Sequence, residues 1–343
     1  MKNEMKEGGS KMRSKSLKYR WLVPLVTVVA LVSTVLVTAA PANATPKKTL
    51  KVALVAPSAV NDLAFTQSMV AALNGLKKSY NLKISITDNE FVVADAANVI
   101  RSYAKKGYNL VIAHGSQYGS TLQQLAPKFP KVSFAWGTAG STFNEPNIYA
   151  YEAESNEGGY VQGYMAGMLS KSHTIGVIGP IDVGDAQLYC DGFKAGVLAE
   201  DPTATVHESF TGSFSDVTLM SSAAKAYVAD GADVLTGSSQ SVVGAIGVAK
   251  TSSVAWFGTQ WDQSTLAPAE VVSSQVYNWK PVLEQIFTGI RAGKLGGATY
   301  DISLGNNGEK IAFNPSYPLP ANVKAQAQKL IGEIVDGSLT VAQ

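Results

Sequence analysis

The sequence predicts an α/β protein built from two doubly wound lobes that are joined by a hinge. Short apolar segments of strand length alternate with segments of helical length, and this series runs twice along the chain. Such alternation is typical of a parallel sheet covered by helices on both faces. The length of 343 residues fits about two domains, and 46% apolar residues provide a core for each.

The first series predicts strands at 51–56, 82–87, 110–114 and 132–136, and helices at 65–80, 94–106 and 120–128. The helix at 94–106 is predicted from an amphipathic pattern and a C-cap. Its residues Ala97, Ile100 and Ala104 recur on one face, and Gly107 follows as a C-cap. The strand at 51–56 is mostly apolar and is terminated by Pro57, which is typical of a buried parallel strand.

The second series predicts helices at 157–170, 186–198, 215–230, 242–250, 281–292 and 321–335, and strands at 174–178, 204–210, 232–236, 254–257 and 271–276. The stretches Gly107–Gln117 and Gly231–Gln240 resemble each other: each has a glycine C-cap, then a strand, then a Gly-Ser loop. This similarity is consistent with duplication, although any α/β unit has these parts. We expect lobe one at 50–153 plus about 278–300, and lobe two at 154–277 plus about 301–343.

Residues 1–44 have the pattern of an export signal. Seven Lys or Arg residues precede the uncharged segment Trp21–Ala40, and the small-x-small motif Ala42-Asn43-Ala44 follows. We expect cleavage after Ala44; the alternative is an uncleaved anchor, because about 20 apolar residues can span a bilayer. No cysteine near the motif could carry a lipid. Beyond residue 44 the chain has 21 basic and 24 acidic residues, and this net charge of −3 disfavours nucleic-acid binding.

Common enzyme signatures are absent from the sequence. The segment after the first strand contains no glycine, which weighs against the usual phosphate-binding loops there, and no G-x-S-x-G motif occurs. His114 ends a strand and could act as a base, but a polar loop residue is the simpler interpretation. Glu152, Glu154 and Glu157 could do acid–base chemistry, but a solvated face or charges at a helix start are the simpler interpretation. Cys190 fits a small core residue. We expect no cofactor and no metal.

The ligand edge of such a protein lies beyond the carboxyl ends of its parallel strands. Loops at this edge are rich in aromatic, Gln, Asp and Ser residues. Aromatic rings can sandwich a flat molecule, and amides can read its edge. By loop position we assign ligand contacts to Gln67, Gln117, Tyr118, Trp136, Gln240 and Trp279. Such a set fits a small molecule that is held between closing lobes and released unchanged.

Several of these segments together resemble the basic membrane protein family, the purine-nucleoside-receptor-like substrate-binding proteins of ABC transporters. The resembling segments include NDLAFTQS at 61–68, GSQY at 115–118, EGGYVQGYMAG at 157–167, DGFKAG at 191–196, GSFSD at 212–216 and SSQVYNW at 273–279. Their order and spacing extend over most of residues 50–315. The resemblance implies a type I periplasmic-binding-protein fold and nucleoside uptake.

The resemblance also implies roles for individual residues. Asp62 and Phe65 are expected to contact the base, with Phe65 stacked on one face and Phe214 on the other. Asp262 is expected to accept the ribose hydroxyls. Thr66 stands where the family usually has Asn, and Tyr277 stands near a family Lys; both are counted as contacts.

We therefore expect a monomeric, non-enzymatic receptor outside the cytoplasm, periplasmic or at the cell surface near the plasma membrane. It would deliver a nucleoside-like solute to an ABC permease and would bind no nucleic acid. Two alternatives are a module that signals to a membrane sensor and an extracellular nucleoside-processing enzyme. The enzyme would need a carboxylate cluster for metal or water activation.

Overall fold

The computed structural model describes residues 48–343, and the predicted export signal lies outside these described residues. The strands are β1 Leu50–Val55, β2 Leu82–Thr87, β3 Leu110–His114, β4 Ser133–Gly137, β5 Ile148–Ala153, β6 Thr174–Gly179, β7 Thr205–Phe210, β8 Val234–Gly237, β9 Ala255–Gly258, β10 Val271–Tyr277, β11 Ala298–Ile302 and β12 Glu309–Phe313. The helices are α1 Phe65–Leu76, α2 Val93–Lys105, α3 Gly119–Leu125, α4 Ser155–Leu169, α5 Gly184–Glu200, α6 Val217–Ala229, α7 Val243–Ser252, α8 Lys280–Arg291 and α9 Ala321–Val335.

The strands form two six-stranded sheets with matching order. Sheet order is β11-β5-β4-β3-β1-β2 in lobe one and β12-β10-β9-β8-β6-β7 in lobe two. All pairings in lobe one are parallel. In lobe two, the edge strand β12 runs antiparallel to β10, whereas the other pairings are parallel. The predicted α/β class with two doubly wound lobes is confirmed, and the purely parallel pairing was wrong for β12.

Each sheet is covered by helices on both faces, because its interior strands are apolar on both sides. In lobe one, α1 and α8 pack on one face and α2 and α3 on the other. In lobe two, α4, α5 and α9 cover one face, and α6 and α7 the other. Cys190 is a free, fully buried residue of the α5 core face, as expected.

The sequence analysis missed three strands: β5, β11 and β12. β5 follows β4 without an intervening helix, so the strand–helix alternation fails there. β11 and β12 are edge strands, and their residues are partly exposed. β11 and β12 lack the continuous apolar run of a buried strand, so their sequences resemble loops, whereas the other edge strands, β2 and β7, alternate with helices and were predicted.

In the part of the chain that the structure describes, three crossings join the lobes, between β5 and α4, between β10 and α8, and between β11 and β12. Helices α4 and α5 lie directly beside these crossings and approach each other closely through glycines. A Cβ on Gly159, Gly163, Gly192 or Gly196 would lie within 2.6 Å of backbone of the opposite helix. This contact fixes the first turn of α5 at the interface between the lobes. Within residues 48–343, no helix is both long enough and apolar enough to cross a bilayer.

Candidate functional site

A narrow cleft lies between the lobes, where the carboxyl ends of the parallel strands of both sheets meet, and it encloses about 330 Å³ when its opening to solvent is included. Its enclosed part is about 20 Å³, room for about one water molecule, so a larger ligand requires the lobes to move apart. Lobe one contributes Pro57, Phe65, Gly115, Ser116, Gln117 and Thr138, and lobe two contributes Asp185, Ala186, Phe214, Ser238, Ser239, Gln240 and Gln260. Of the twelve residues that the sequence predicted as contacts, the cleft brings together Phe65, Gln117, Phe214 and Gln240.

Phe65 is the aromatic wall of lobe one. Its ring stacks on the His114 ring, with centroids 3.8 Å apart and planes 2° from parallel. His114 Nε2 lies 3.3 Å from the Phe65 carbonyl oxygen, to which it donates, so Nδ1 accepts from the Tyr151 hydroxyl at 2.8 Å. Burial lowers the pKa of His114 to about 3, so the ring is neutral at physiological pH. His114 therefore supports Phe65 from behind and does not line the cleft.

The loop that precedes Phe65 is held by Asp62. Its carboxylate accepts backbone N–H bonds from Ala64, Thr66 and Gln67 at 2.9–3.0 Å. These bonds satisfy donors of the first turn of α1, which otherwise have no partner in the helix. The Thr66 hydroxyl bonds to Ser58, and Gln67 accepts from the Leu63 N–H. Asp62, Thr66 and Gln67 thus position Phe65 and are absent from the cleft lining.

Two other predicted contacts in lobe one hold the β3 loop in place. Tyr118 is buried, and its hydroxyl donates to the Glu90 carbonyl at 2.7 Å. Trp136 donates its indole N–H to the Ser116 carbonyl at 3.2 Å and stacks on Phe143. Neither side chain lines the cleft, whereas the loop that they support presents Ser116 and Gln117 to it.

Phe214 is the aromatic wall of lobe two and lies in the loop after β7. The Ser239 hydroxyl donates to its carbonyl at 2.8 Å, which ties this loop to the loop after β8. Asp216 follows and caps α6 by accepting from the Thr218 and Leu219 N–H groups. Phe65 and Phe214 therefore approach the same cleft from opposite lobes.

Asp185 is a residue of the cleft that the sequence analysis missed. It lies in the first turn of α5 and is 6% exposed. Its carboxylate accepts from the Thr138 hydroxyl of lobe one, the Gln260 amide and the Tyr277 hydroxyl, each at 3.1 Å. Burial raises its pKa, and these three hydrogen bonds act in the opposite direction. The only signal in the sequence was an acidic residue within the predicted ligand loop after β6.

Tyr277 and Trp279 lie behind the cleft, in the crossing from β10 to α8. Both are buried, and neither belongs to the lining. Tyr277 donates to Asp185, as described above, and Trp279 donates its indole N–H to the Ser68 hydroxyl at 2.8 Å. The Trp279 ring also packs edge-on against Phe65, with centroids 6.1 Å apart. Through these contacts, Tyr277 joins the hinge to Asp185 of lobe two, and Trp279 joins it to Phe65 of lobe one.

Asp262, the expected ribose ligand, does not line the cleft. Asp262 is exposed and borders a separate shallow groove with Trp261 and Lys310. One carboxylate oxygen accepts from the Ser264 N–H at 3.0 Å, so the residue stabilises its own turn. The neighbouring Gln260, closer to the end of β9, is the residue of this loop that lines the cleft.

The three glutamates noted in the sequence are also outside the cleft lining. Burial, and secondarily the charge of Asp185, raises the pKa of Glu152 to about 9. Glu157 is in the first turn of α4 and accepts from the Leu304 N–H at 2.8 Å. Their positions at the first crossing between the lobes indicate a structural role in the hinge. No group of metal-binding side chains occurs within the described residues.

The cleft can bind a flat and uncharged molecule that donates hydrogen bonds. Asp185 is the one residue with an ionisable side chain among the described residues of its lining. The side-chain oxygens of Gln240 and Gln260 are buried and have no partner. Because unpaired buried acceptors are costly, such atoms indicate where a ligand donates hydrogen bonds.

Comparison with known proteins agrees with this geometry. Residues 49–335 match the family model described as ABC transporter substrate-binding protein PnrA-like. A purine-binding protein of Brucella abortus is 28% identical over 292 residues, which cover 84% of this chain and 82% of that protein. A transcriptional activator protein of Bacillus subtilis is 26% identical over 286 residues, or 82% and 89% of the two chains.

Among solved structures, an ABC transporter solute-binding protein from Conexibacter woesei is similar with a TM-score of 0.69 and 25% identity. The match covers 85% of this chain and 98% of that chain. Together with the two-sheet topology, this similarity identifies a type I periplasmic-binding-protein fold. The family match covers well over half of the sequence, so the protein belongs to the PnrA-like substrate-binding proteins of ABC transporters, the basic membrane protein family.

Proposed function

We propose that this protein binds one purine nucleoside, or a similarly flat and neutral solute, between its lobes and delivers it to an ABC permease. The observation that carries this proposal is the pair of aromatic walls. Phe65 and Phe214 line one cleft from opposite lobes. Each ring offers a surface for stacking, and a planar purine fits between two such surfaces when the lobes close.

The charge of the cleft supports an unphosphorylated ligand. Its described lining contains no Lys, Arg or His side chain. The one ionisable residue there, Asp185, is an acid. A phosphate group would need cationic or N–H donors and would meet this carboxyl group instead. Nucleosides and nucleobases therefore suit the cleft better than nucleotides.

The polar groups of the cleft support a ligand with several hydrogen-bonding edges. The hydroxyls of Ser116, Ser238 and Ser239 can donate or accept, and the oxygens of Gln240 and Gln260 accept. A purine ring and a ribose present both donors and acceptors. The name of the Brucella relative, a purine-binding protein, points to the same class of ligand.

Titration calorimetry of residues 45–343 with purine and pyrimidine nucleosides, nucleobases, nucleotides, sugars and amino acids tests the proposal. We expect one binding site per chain for a purine nucleoside or base and much weaker binding of the corresponding nucleotides. Binding of sugars or amino acids, with no response to any nucleoside or base, would refute it.

We propose further that the protein acts outside the cytoplasm as a monomer. The basic and apolar segments of residues 1–44 support export, because basic residues before an apolar segment are retained on the cytoplasmic side. Cell fractionation with N-terminal sequencing tests this location. A chain that begins at Thr45 indicates a released protein, and an intact Met1 in the membrane fraction indicates an anchor. Full-length protein in the soluble cytoplasm would contradict export.

A sensing role is the second candidate, because the similar Bacillus subtilis protein is named a transcriptional activator. In that role the ligand-bound form would signal to a membrane protein without transport. Uptake of radiolabelled nucleoside by cells with and without the gene separates the two. Loss of uptake in the deletion strain supports transport, whereas unchanged uptake with altered gene expression supports sensing.

A further inference from the structure

Gln260 lines the cleft and combines near-complete burial with an unused side-chain acceptor. It is 2% exposed and follows β9 at the cleft wall. Its Nε2 donates to Asp185 Oδ2 at 3.1 Å and lies 3.4 Å from the Ser238 hydroxyl oxygen. Its Oε1 is buried and has no partner. One end of this amide is therefore committed to the protein, and the other end is free to contact a ligand.

Asp185 determines which end of the amide is free. The Thr138 hydroxyl donates to Asp185 Oδ1, and Tyr277 donates to the same Oδ2 atom as Gln260. Burial keeps the Tyr277 hydroxyl protonated by raising its pKa, so it remains a donor. Because both Asp185 oxygens already accept hydrogen bonds from Thr138 and Tyr277, a reversed Gln260 amide would place its own oxygen against an oxygen that is accepting. The reversed orientation would lose a hydrogen bond and add electrostatic repulsion.

We propose that Asp185 locks the Gln260 amide with Oε1 toward the ligand, which makes Gln260 the residue that selects for an N–H or O–H donor. This inference rests on the proposed nucleoside or nucleobase function. A ligand that offers an acceptor or a methyl group at this position leaves a buried carbonyl oxygen unpaired. That defect weakens binding by about 10- to 100-fold.

Nucleosides with single donor groups removed test the selection directly. Adenosine has four donor groups, and its 2′-deoxy, 3′-deoxy, 5′-deoxy and N6,N6-dimethyl derivatives each remove one. Inosine with its deoxy and N1-methyl derivatives forms a second series. Calorimetry with wild-type protein is expected to show at least one derivative that binds about 10- to 100-fold more weakly than its parent.

Gln260→Met removes the acceptor with little change in volume. In this variant we expect the affinities of the parent nucleoside and that derivative to differ by no more than about 3-fold, because no buried oxygen is left unpaired. Asp185→Asn is expected to reduce the same ratio, since an amide at this position both donates and accepts and lets Gln260 turn. The ratio between parent and derivative isolates selectivity, because general damage to the cleft weakens both ligands alike.

Gln263→Met is the matched control. Gln263 lies three residues further along the same loop, is fully buried and has both ends of its amide bonded to Trp256 and Thr259. We expect this variant to lose stability and keep the wild-type ratio. An unchanged ratio in Gln260→Met, or in Asp185→Asn, would overturn the proposed selection or the proposed lock, respectively. Failure of wild-type protein to bind any nucleoside or nucleobase would refute the proposed function itself, and the selection with it.

Discussion

Gly163→Ala perturbs the closest approach between α4 and α5, the helices that position Asp185 at the cleft. A Cβ on Gly163 would lie 1.9 Å from the Phe193 carbonyl oxygen, about 1.5 Å short of an ordinary contact at 3.4 Å. The obstacle is helix backbone, which cannot rotate away as a side chain can. The two helices must therefore separate, and part of the lobe-two core between them loosens.

The expected cost follows from this overlap. Overpacking of a well-packed core lowers the free energy of unfolding by about 1–3 kcal/mol. A clash with backbone belongs at the upper end of this range, so we expect a loss of about 3 kcal/mol. An unfolding entropy of about 2.1 cal/mol/K per residue over residues 48–343 converts this cost into a fall in Tm of about 5 °C. Ligand affinity is also expected to fall, because the Ser155 hydroxyl of α4 bonds to the Asp185 carbonyl of α5 at 2.5 Å.

Thermal unfolding followed by calorimetry measures the effect, with Gly247→Ala as the matched control. Gly247 is inside α7 of the same lobe, and a Cβ there would have no atom within 4 Å. Alanine is favoured over glycine in a helix interior by about 0.5–1 kcal/mol, so this variant is expected to raise Tm by about 1 °C. A Tm for Gly163→Ala equal to or above that of wild type would refute the packing argument.

Three further predictions concern the cleft and the hinge. Phe214→Ala should weaken purine nucleoside binding by about 5- to 100-fold in calorimetry, because a stacking surface is lost. Phe143→Ala is the control and should leave the affinity unchanged, since Phe143 lies outside the cleft. Equal affinities of the two variants would show that Phe214 does not contact the ligand. Asp262→Ala should leave ligand affinity unchanged. Asp233→Ala should lower Tm without changing affinity, because the Asp233 carboxylate accepts hydrogen bonds from three groups at the opposite edge of the sheet. A selective loss of affinity in Asp262→Ala would restore Asp262 as a ligand contact. The pKa of Glu152 is raised from 4.5 to about 9 in the fold, so folding takes up a proton in this window and Tm should fall as pH rises through it. Glu152→Gln should flatten that dependence, and an identical pH profile would contradict the assignment.

The interior strands other than β5 were predictable because their signal is local. β1, β3, β6 and β8 are covered on both faces, so each is a nearly continuous apolar run, and glycine or proline marks its end. The glycine C-caps at Gly107 and Gly231 were correct for the same reason: both residues have positive φ, 67° and 95°, which glycine adopts without steric cost. The edge strands β11 and β12 lacked this signal, whereas the edge strands β2 and β7 were predicted.

The cleft was predictable only in part. The rule that ligands bind at the carboxyl ends of parallel strands selects loops, and Gln117 and Gln240 of these loops line the cleft, as do Phe65 and Phe214, which the family resemblance suggested. It does not say which side chain of a loop turns inward. In the loop after β9, Gln260 lines the cleft and Asp262 points to a separate groove, although only two positions separate them.

The sequence by itself determined the fold class, the family and the loops that form the cleft, because these depend on periodicity and on the order of short motifs. Only the tertiary structure decided which residues line the cleft and which support it. Asp185 gains its position from the close packing of α4 on α5, and its partners Thr138, Gln260 and Tyr277 come from distant parts of the chain. Burial and hydrogen-bond partners are properties of the assembled lobes, so no local pattern encodes them.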